Sequence, residues 1–242
     1  MDTPRISTMT ACSELTTNID LKTLYDQTHI NDFIKYAERG DENNKGYAKK
    51  NDKKKRKQKA KRTFFNQVTL HCFYDEKIIN VKFFNNGKIQ MTGLKYEGQG
   101  LKLLNEKLIP MFKDYKDTFD DKLTLKNYRI VLINSDFAMD DEVDRDQLQL
   151  KLKEHDYYST FEPCVYPGVN MKYYFNNNND NTGICKCESI CYGKGNGCGD
   201  GDCKRVTIAV FKKGKIIITG AKSREQLSIC KEFIKDFINN KI

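Results

Sequence analysis

Phe84-Asn85-Asn86-Gly87-Lys88-Ile89-Gln90-Met91-Thr92-Gly93-Leu94-Lys95 recurs 127 residues later, without a gap, as Phe211-Lys212-Lys213-Gly214-Lys215-Ile216-Ile217-Ile218-Thr219-Gly220-Ala221-Lys222. The Phe, the Gly-Lys-Ile, the Thr-Gly and the closing Lys are the same in both copies, and Gln99 continues the match as Gln226. Upstream, Arg5-Ile6 and Arg129-Ile130 open comparable segments at an offset of 124. Self-similarity at a fixed offset is the mark of a repeated structural unit. The copies run over roughly 5–113 and 127–240, so the chain divides into 1–115 and 116–242. Each copy ends as strand, Gly-Lys turn, return strand, Thr-Gly and amphipathic helix. Val206, Ile208 and Val210 alternate with Thr207, Ala209 and Phe211, the period of two that marks a strand. Phe-x-x-Gly-Lys predicts a tight hairpin with Gly supplying the turn, and Lys215 to Thr219 forms the return strand. Leu227, Cys230, Phe233, Ile234 and Phe237 then recur at helical spacing, as do Leu101, Leu104, Leu108 and Phe112 in the first copy. Shorter helices are expected over 15–25 and 143–152.

Helices on one side of an antiparallel sheet leave its other face free. Ile216 and Ile218 share the parity of the helix side. Ile217, Thr219 and Phe211 then point to the free face, as do Lys82, Phe84, Lys88, Gln90 and Thr92 in the first copy. An open apolar stripe of this kind either binds a ligand or packs on another domain or subunit.

The chain of 242 residues carries 42 Lys and Arg against 33 Asp and Glu, a net charge of +9. Residues 45–62 alone hold eleven Lys or Arg and one acid, Asp52. The remaining chain is close to neutral, so the charge belongs to one segment and does not by itself mark a DNA-binding face. There is no run of 18 apolar residues and no charged-then-apolar leading stretch, so neither a membrane span nor secretion is expected. An intracellular, reducing setting implies free or metal-bound thiols for the nine cysteines. No catalytic constellation is found, and the protein is expected not to be an enzyme. His29, His71 and His155 have no ligand spacing, phosphate-loop and HExxH motifs are missing, and Asp140, Asp141, Glu142 and Asp144 suit a solvated helix start.

The repeated Phe-x-x-Gly-Lys…Thr-Gly-x-Lys motif, Phe161-Glu162-Pro163-x-x-Tyr166-Pro167-Gly168 and Asp20-Leu21-Lys22-Thr23-Leu24 together resemble the TATA-box-binding protein family. The likeness is stronger to the divergent versions of large DNA viruses. It covers nearly the whole chain outside two insertions. It implies an α+β fold, a saddle of two pseudosymmetric repeats sharing one curved antiparallel sheet with helices on the convex face. It implies a transcription initiation factor that binds and bends AT-rich promoter DNA in the minor groove and recruits other factors. The rival reading is a saddle-shaped protein–protein interaction module that has lost sequence-specific DNA binding. By the resemblance, four aromatic wedges fall on Phe65, Phe84, Tyr166 and Phe211, with Tyr166 replacing a phenylalanine. Groove threonines fall on Thr92 and Thr219, with Ile217 beside them, and phosphate-facing rim lysines on Lys88 and Lys215. Lys172 and His71 replace family arginines. Central asparagines are replaced by Thr8 and Leu132, with Thr10 and Asn134 two residues on and on the same strand face. Glu162 and Pro163 match the loop that meets a transcription factor IIB-like partner, next to RNA polymerase machinery. The viral likeness places the protein in a host nucleus or a cytoplasmic viral factory, with packaging in the virion as a further option.

Two stretches interrupt the repeat and read as loop insertions. Residues 38–62 carry the basic run, read as an auxiliary phosphate-binding arm beside Phe65; a nuclear-import signal and a solvated linker are the other readings. Residues 175–205 carry Cys185, Cys187, Cys191, Cys198 and Cys203 among alternating glycines. Four tetrahedral thiolates suit a structural zinc, so one of the five is surplus. Cys185, Cys187, Cys191 and Cys203 are one set; a reduced loop without metal is the other reading.

Overall fold

The computed structural model describes residues 5–40, 43–46, 66–119, 122–177 and 182–241. The chain divides into two compact units, Met9–Val131 and Leu132–Ile242 with the residues through Thr8. In the first unit, β1 (Ile6–Leu15) leads to α1 (Leu21–Gln27), β2 (Ile34–Arg39), β3 (Asn43–Gly46), β4 (Gln67–Tyr74), β5 (Lys77–Phe84) and β6 (Lys88–Leu94). Then come α2 (Gln99–Leu103), a π-helical turn (Leu104–Leu108), α3 (Ile109–Phe112) and the start of β7 (Leu125–Ala138). Its strands lie in the order β3-β2-β4-β5-β6-β1, each antiparallel to its neighbours. In the second unit, β7 is followed by α4 (Arg145–Glu154), β8 (Ser159–Glu162), β9 (Tyr166–Phe175), β10 (Lys204–Val210), β11 (Lys215–Ala221) and α5 (Arg224–Lys241). Its order is β7-β11-β10-β9-β8, again antiparallel throughout. The class is the expected α+β.

The repeat seen in the sequence is a repeat of hydrogen bonds. Gly87 N–H donates to Phe84 C=O at 3.0 Å, and Gly214 N–H donates to Phe211 C=O at 3.0 Å. Both glycines have positive φ, 78° and 69°. After the return strand, Gln99 Oε1 accepts the Lys95 N–H at 2.8 Å, and Gln226 Oε1 accepts the Lys222 N–H at 2.8 Å. Gly93 and Gly220 occupy matching slips in strand pairing, with φ of 97° and 98°.

Each unit builds its core between one sheet face and its helices. In the first, Phe83, Ile89 and Met91 are buried with Leu103, Leu104, Leu108 and Phe112, and the Phe83 and Phe112 rings meet edge-on at 5.3 Å. In the second, Ile208, Ile216 and Ile218 are buried with Leu227, Cys230 and Ile234, and Tyr173 packs on Phe233 at 5.1 Å. Burying each such side chain stabilises by about 1.5–3 kcal/mol before conformational entropy is counted. Burial pushes the thiols of Cys72 and Cys230 well above the ordinary value, so they behave as small apolar groups.

Three local expectations differ from what is observed. The helix expected over 15–25 begins only at Leu21, because β1 continues to Leu15 and Asp20 caps α1 through a 2.6 Å bond from Thr23 N–H. That bond holds the Asp20 carboxyl below its usual range. Leu101 is exposed and Leu103 takes the core position. A π turn follows at Leu104–Leu108, ahead of Pro110, which lacks the N–H that an unbroken α-helix would use, and Leu104, Leu108 and Phe112 keep their expected core positions. Residues 38–62 are not loop throughout, since β2 runs to Arg39 and Asn43–Gly46 pairs with Tyr36–Arg39. The Asn-Asn-Lys-Gly strand has no apolar alternation, and its backbone pairing alone defines it.

Candidate nucleic-acid interface

The helix-free face of the second unit follows from strand parity. Thr207 pairs with Thr219 and with Lys172, and Ala209 pairs with Ile217 and with Asn170. Of these, Thr207, Ala209, Ile217 and Thr219 are small or β-branched and make a low surface. At the hairpin end stands an aromatic pair, Tyr166 and Phe211, with ring centroids 5.6 Å apart. Tyr166 is 38% exposed. A Cβ on Gly168 would lie 3.0 Å from the Tyr166 ring and 3.1 Å from the Phe211 ring, so this glycine makes room for the pair. The two predicted wedges of the second copy are therefore brought together.

Cations line the other end. Lys172 Nζ donates to Thr207 Oγ1 at 2.9 Å. Burial, and then the neighbouring Arg205 charge, lowers the Lys172 pKa. The charged lysine therefore lowers stability below its folded pKa, and that effect fades as pH rises through the unfolded value. An anion placed beside Lys172 would act in the opposite direction.

On β7, Asn134 faces Thr219 and its shielded Oδ1 has no hydrogen-bond partner among the described residues. Leu132 and Thr8 are half-buried. Sequence reasoning missed Asp136, although it lies two residues beyond Asn134 and so shares its face. Asp136 sits opposite Ile217, accepts from Ser7 Oγ, and lies 3.8 Å from Lys215 Nζ and 4.0 Å from Arg5 Nε. The rim lysine of this unit is thus shared with a carboxylate. For a duplex held on this face, Asp136→Asn would free Lys215, tighten binding about two- to fivefold and steepen its salt dependence. Anisotropy titrations at several salt concentrations measure both.

The first unit's face is more polar. Thr92 pairs with Thr10 and Asn80, and Gln90 pairs with Cys12 and Lys82. Phe84 is half-buried at the strand end and Lys88 is exposed opposite Glu14. Glu14 accepts from Asn127 Nδ2 at 3.0 Å. His71 is engaged within the sheet, its ring 4.9 Å from Tyr36 and its Nε2 3.0 Å from Asn80 Nδ2. Burial, followed by Glu38, pushes the Tyr36 hydroxyl up to about 12. Phe65 and the basic run Lys49 to Arg62 lie outside the described residues.

Between β8 and β9, Phe161 to Tyr166 forms a turn closed by Val165 N–H to Glu162 C=O at 2.9 Å. Glu162, Pro163 and Cys164 are exposed and Val165 is 80% exposed. Arg145 braces the turn, its guanidinium 4.9 Å from the Phe161 ring centroid and donating to Pro167 C=O at 2.6 Å. No local sequence pattern singled out Arg145, which lies on α4.

Between β9 and β10, four of the five cysteines converge. The sulfurs of Cys185, Cys187, Cys191 and Cys203 all lie within 4.8 Å of one another. Cys198 does not join them and is exposed. Gly197 N–H bonds Asp202 C=O at 2.7 Å and Asp202 N–H bonds Gly199 C=O at 3.0 Å. This tight turn, with both glycines at positive φ, carries Cys198 to its tip.

Two antiparallel-sheet units with matching hairpins, each helix-backed on one face, and aromatic hairpin ends define a class of repeat protein with an open sheet face. Residues 127–240 match the family model of transcription factor TFIID (or TATA-binding protein, TBP). A "TATA-box-binding protein-like" protein of Acanthamoeba polyphaga mimivirus is 31% identical over 185 residues, which cover 70% of this chain and 46% of that relative. The chain therefore spans about half the length of this curated relative. Methanococcus jannaschii TBP superposes with a TM-score of 0.58 at 17% identity, covering 97% of each chain, and this likeness shows the fold. The second copy thus carries the TATA-binding-protein family's domain, and the chain is similar to a divergent viral protein of that kind. No helix among the described residues is long and apolar enough to cross a membrane.

Proposed function

We propose that the protein is a non-catalytic transcription initiation factor that binds AT-rich DNA from the minor groove and bends it. The observation that carries this reading is the Tyr166–Phe211 pair at the end of the low Thr207, Ala209, Ile217 and Thr219 surface. A minor groove offers few distinguishing polar groups, so a low, largely apolar sheet face suits it. Aromatic side chains at the ends of such a face can wedge between base steps, and flexible AT-rich steps make that deformation cheaper. Lys172, Arg205, Lys88 and Lys215 supply phosphate contacts. The Glu162-Pro163 turn, exposed and braced by Arg145, supports recruitment of a transcription factor IIB-like partner.

A second reading has its own observations. Gln90, Lys82, Asn80, Cys12 and Glu14 make the first unit's face polar, and Asp136 adds a carboxylate to the second. These favour a protein–protein module of the transcription machinery without sequence preference on DNA. Titrating the full chain against AT-rich and GC-rich duplexes separates the two. Minor-groove bending predicts at least tenfold preference for the AT-rich duplex, about 1.4 kcal/mol. Equal, weak binding that disappears on deleting residues 45–62 supports the second reading.

A further inference from the structure

We propose that Cys185, Cys187, Cys191 and Cys203 hold one structural zinc ion that fastens the β9–β10 loop. Zinc–thiolate bonds of about 2.3 Å in a tetrahedron place the sulfurs about 3.8 Å apart. The Cys187–Cys203 and Cys203–Cys185 sulfur separations are 3.3 Å and 3.7 Å, and all four sulfurs share one cluster.

Backbone bonds such as Gly195 N–H to Cys203 C=O and Arg205 N–H to Gly193 C=O order the loop, but apolar packing contributes little to it. Ile190 is 79% and Tyr192 70% exposed, so these two large side chains of the loop bury little apolar surface. A metal supplies folding free energy in such a segment. Both ends of the cluster are tied to neighbouring strands. Cys203 is buried and leads directly into β10, while Tyr174 of β9 donates its N–H to Gly183 C=O at 2.9 Å, two residues before Cys185. Closing four sulfurs on one ion therefore staples adjacent strands through their connection.

The surroundings suit thiolates. Asn176 Nδ2 donates to Cys203 Sγ at 3.4 Å. Such a donor stabilises the negative charge of a zinc tetrathiolate and orients the ligand it touches. Gly193 allows the close packing, since a Cβ there would lie 2.7 Å from Arg205 Cβ. A four-sulfur tetrahedral site selects zinc or iron over oxygen-loving cations.

The test uses the full chain produced under reducing conditions with zinc supplied. One zinc per chain is expected by elemental analysis. Cobalt(II) exchanged into the site should give the intense d–d and sulfur-to-metal bands of a tetrahedral tetrathiolate. Cys198→Ser should retain one zinc, whereas Cys187→Ser, at a half-exposed position, should lose it. Thiol alkylation gives an independent reading should a variant fold poorly. In the zinc-loaded chain the four ligands should resist alkylation while exposed Cys164 and Cys198 react, and chelation should expose the four but not buried Cys72 and Cys230. Substoichiometric zinc with all thiols reduced, iron in its place, or equal zinc loss in Cys198→Ser would overturn the proposal. None of these readouts depends on DNA binding.

Discussion

Phe211→Ala should lower affinity for an AT-rich duplex about ten- to hundredfold and flatten its bend, with the fold retained. Phe211 follows the last residue of β10, half-buried, its ring resting on Tyr166 at 5.6 Å. Gly168 leaves the space in which the two rings sit. Loss of one base-stacking aromatic costs about 1–3 kcal/mol of binding, which sets the affinity range. The bend should fall further than affinity suggests, because wedge insertion is what opens the base step. Energy transfer between duplex ends reads the bend, anisotropy reads the affinity, and circular dichroism checks the fold. Tyr166→Phe is the complementary variant. It removes a hydroxyl that stacks poorly between bases and should leave binding equal or tighter. A Phe211→Ala protein that bends and binds as wild type would remove the wedge role and leave the protein–protein reading as the stronger one.

The hairpins, their parity and the helix-backed core were legible because each rests on a local rule. Alternation in Val206 to Phe211 assigned faces, and Gly87 and Gly214 assigned turns. The polar character of the first unit's face was only partly legible. Gln90 and Lys82 were visible by parity, whereas the engagement of His71 by Tyr36 and Asn80 depends on pairing among β2, β4 and β5. Tyr36 comes from a strand that the sequence did not announce. Asp136 was within reach, since the parity that placed Asn134 on the face also placed Asp136 there. The choice of four cysteines from five was not, because the turn that ejects Cys198 is a matter of glycine φ values and backbone bonds around Asp202.

Gly214→Val should cost about 3 kcal/mol of stability and lower the melting temperature by about 6–12 °C. Gly214 has φ of 69°, a conformation that β-branched residues adopt only under strain. Open space does not relieve it here. A Cβ would lie 2.6 Å from Asp141 C=O and 2.7 Å from Met139 C=O, both backbone atoms that cannot swing away. The same residue donates to Phe211 C=O and accepts from Met139 N–H at 3.0 Å, so moving the turn breaks pairing on both sides. Gly87→Val should behave alike, because its Cβ would lie 2.6 Å from both Leu15 C=O and Thr17 C=O. Gly98→Ala is the control, with nothing within 4 Å of an added Cβ and φ of −79°. Thermal unfolding followed by circular dichroism compares the three. A Gly214→Val protein that melts with wild type and the Gly98→Ala control would show that the turn tolerates a side chain. The shared Phe-x-x-Gly-Lys motif would then lose the steric reason that makes it a signature of the repeated unit.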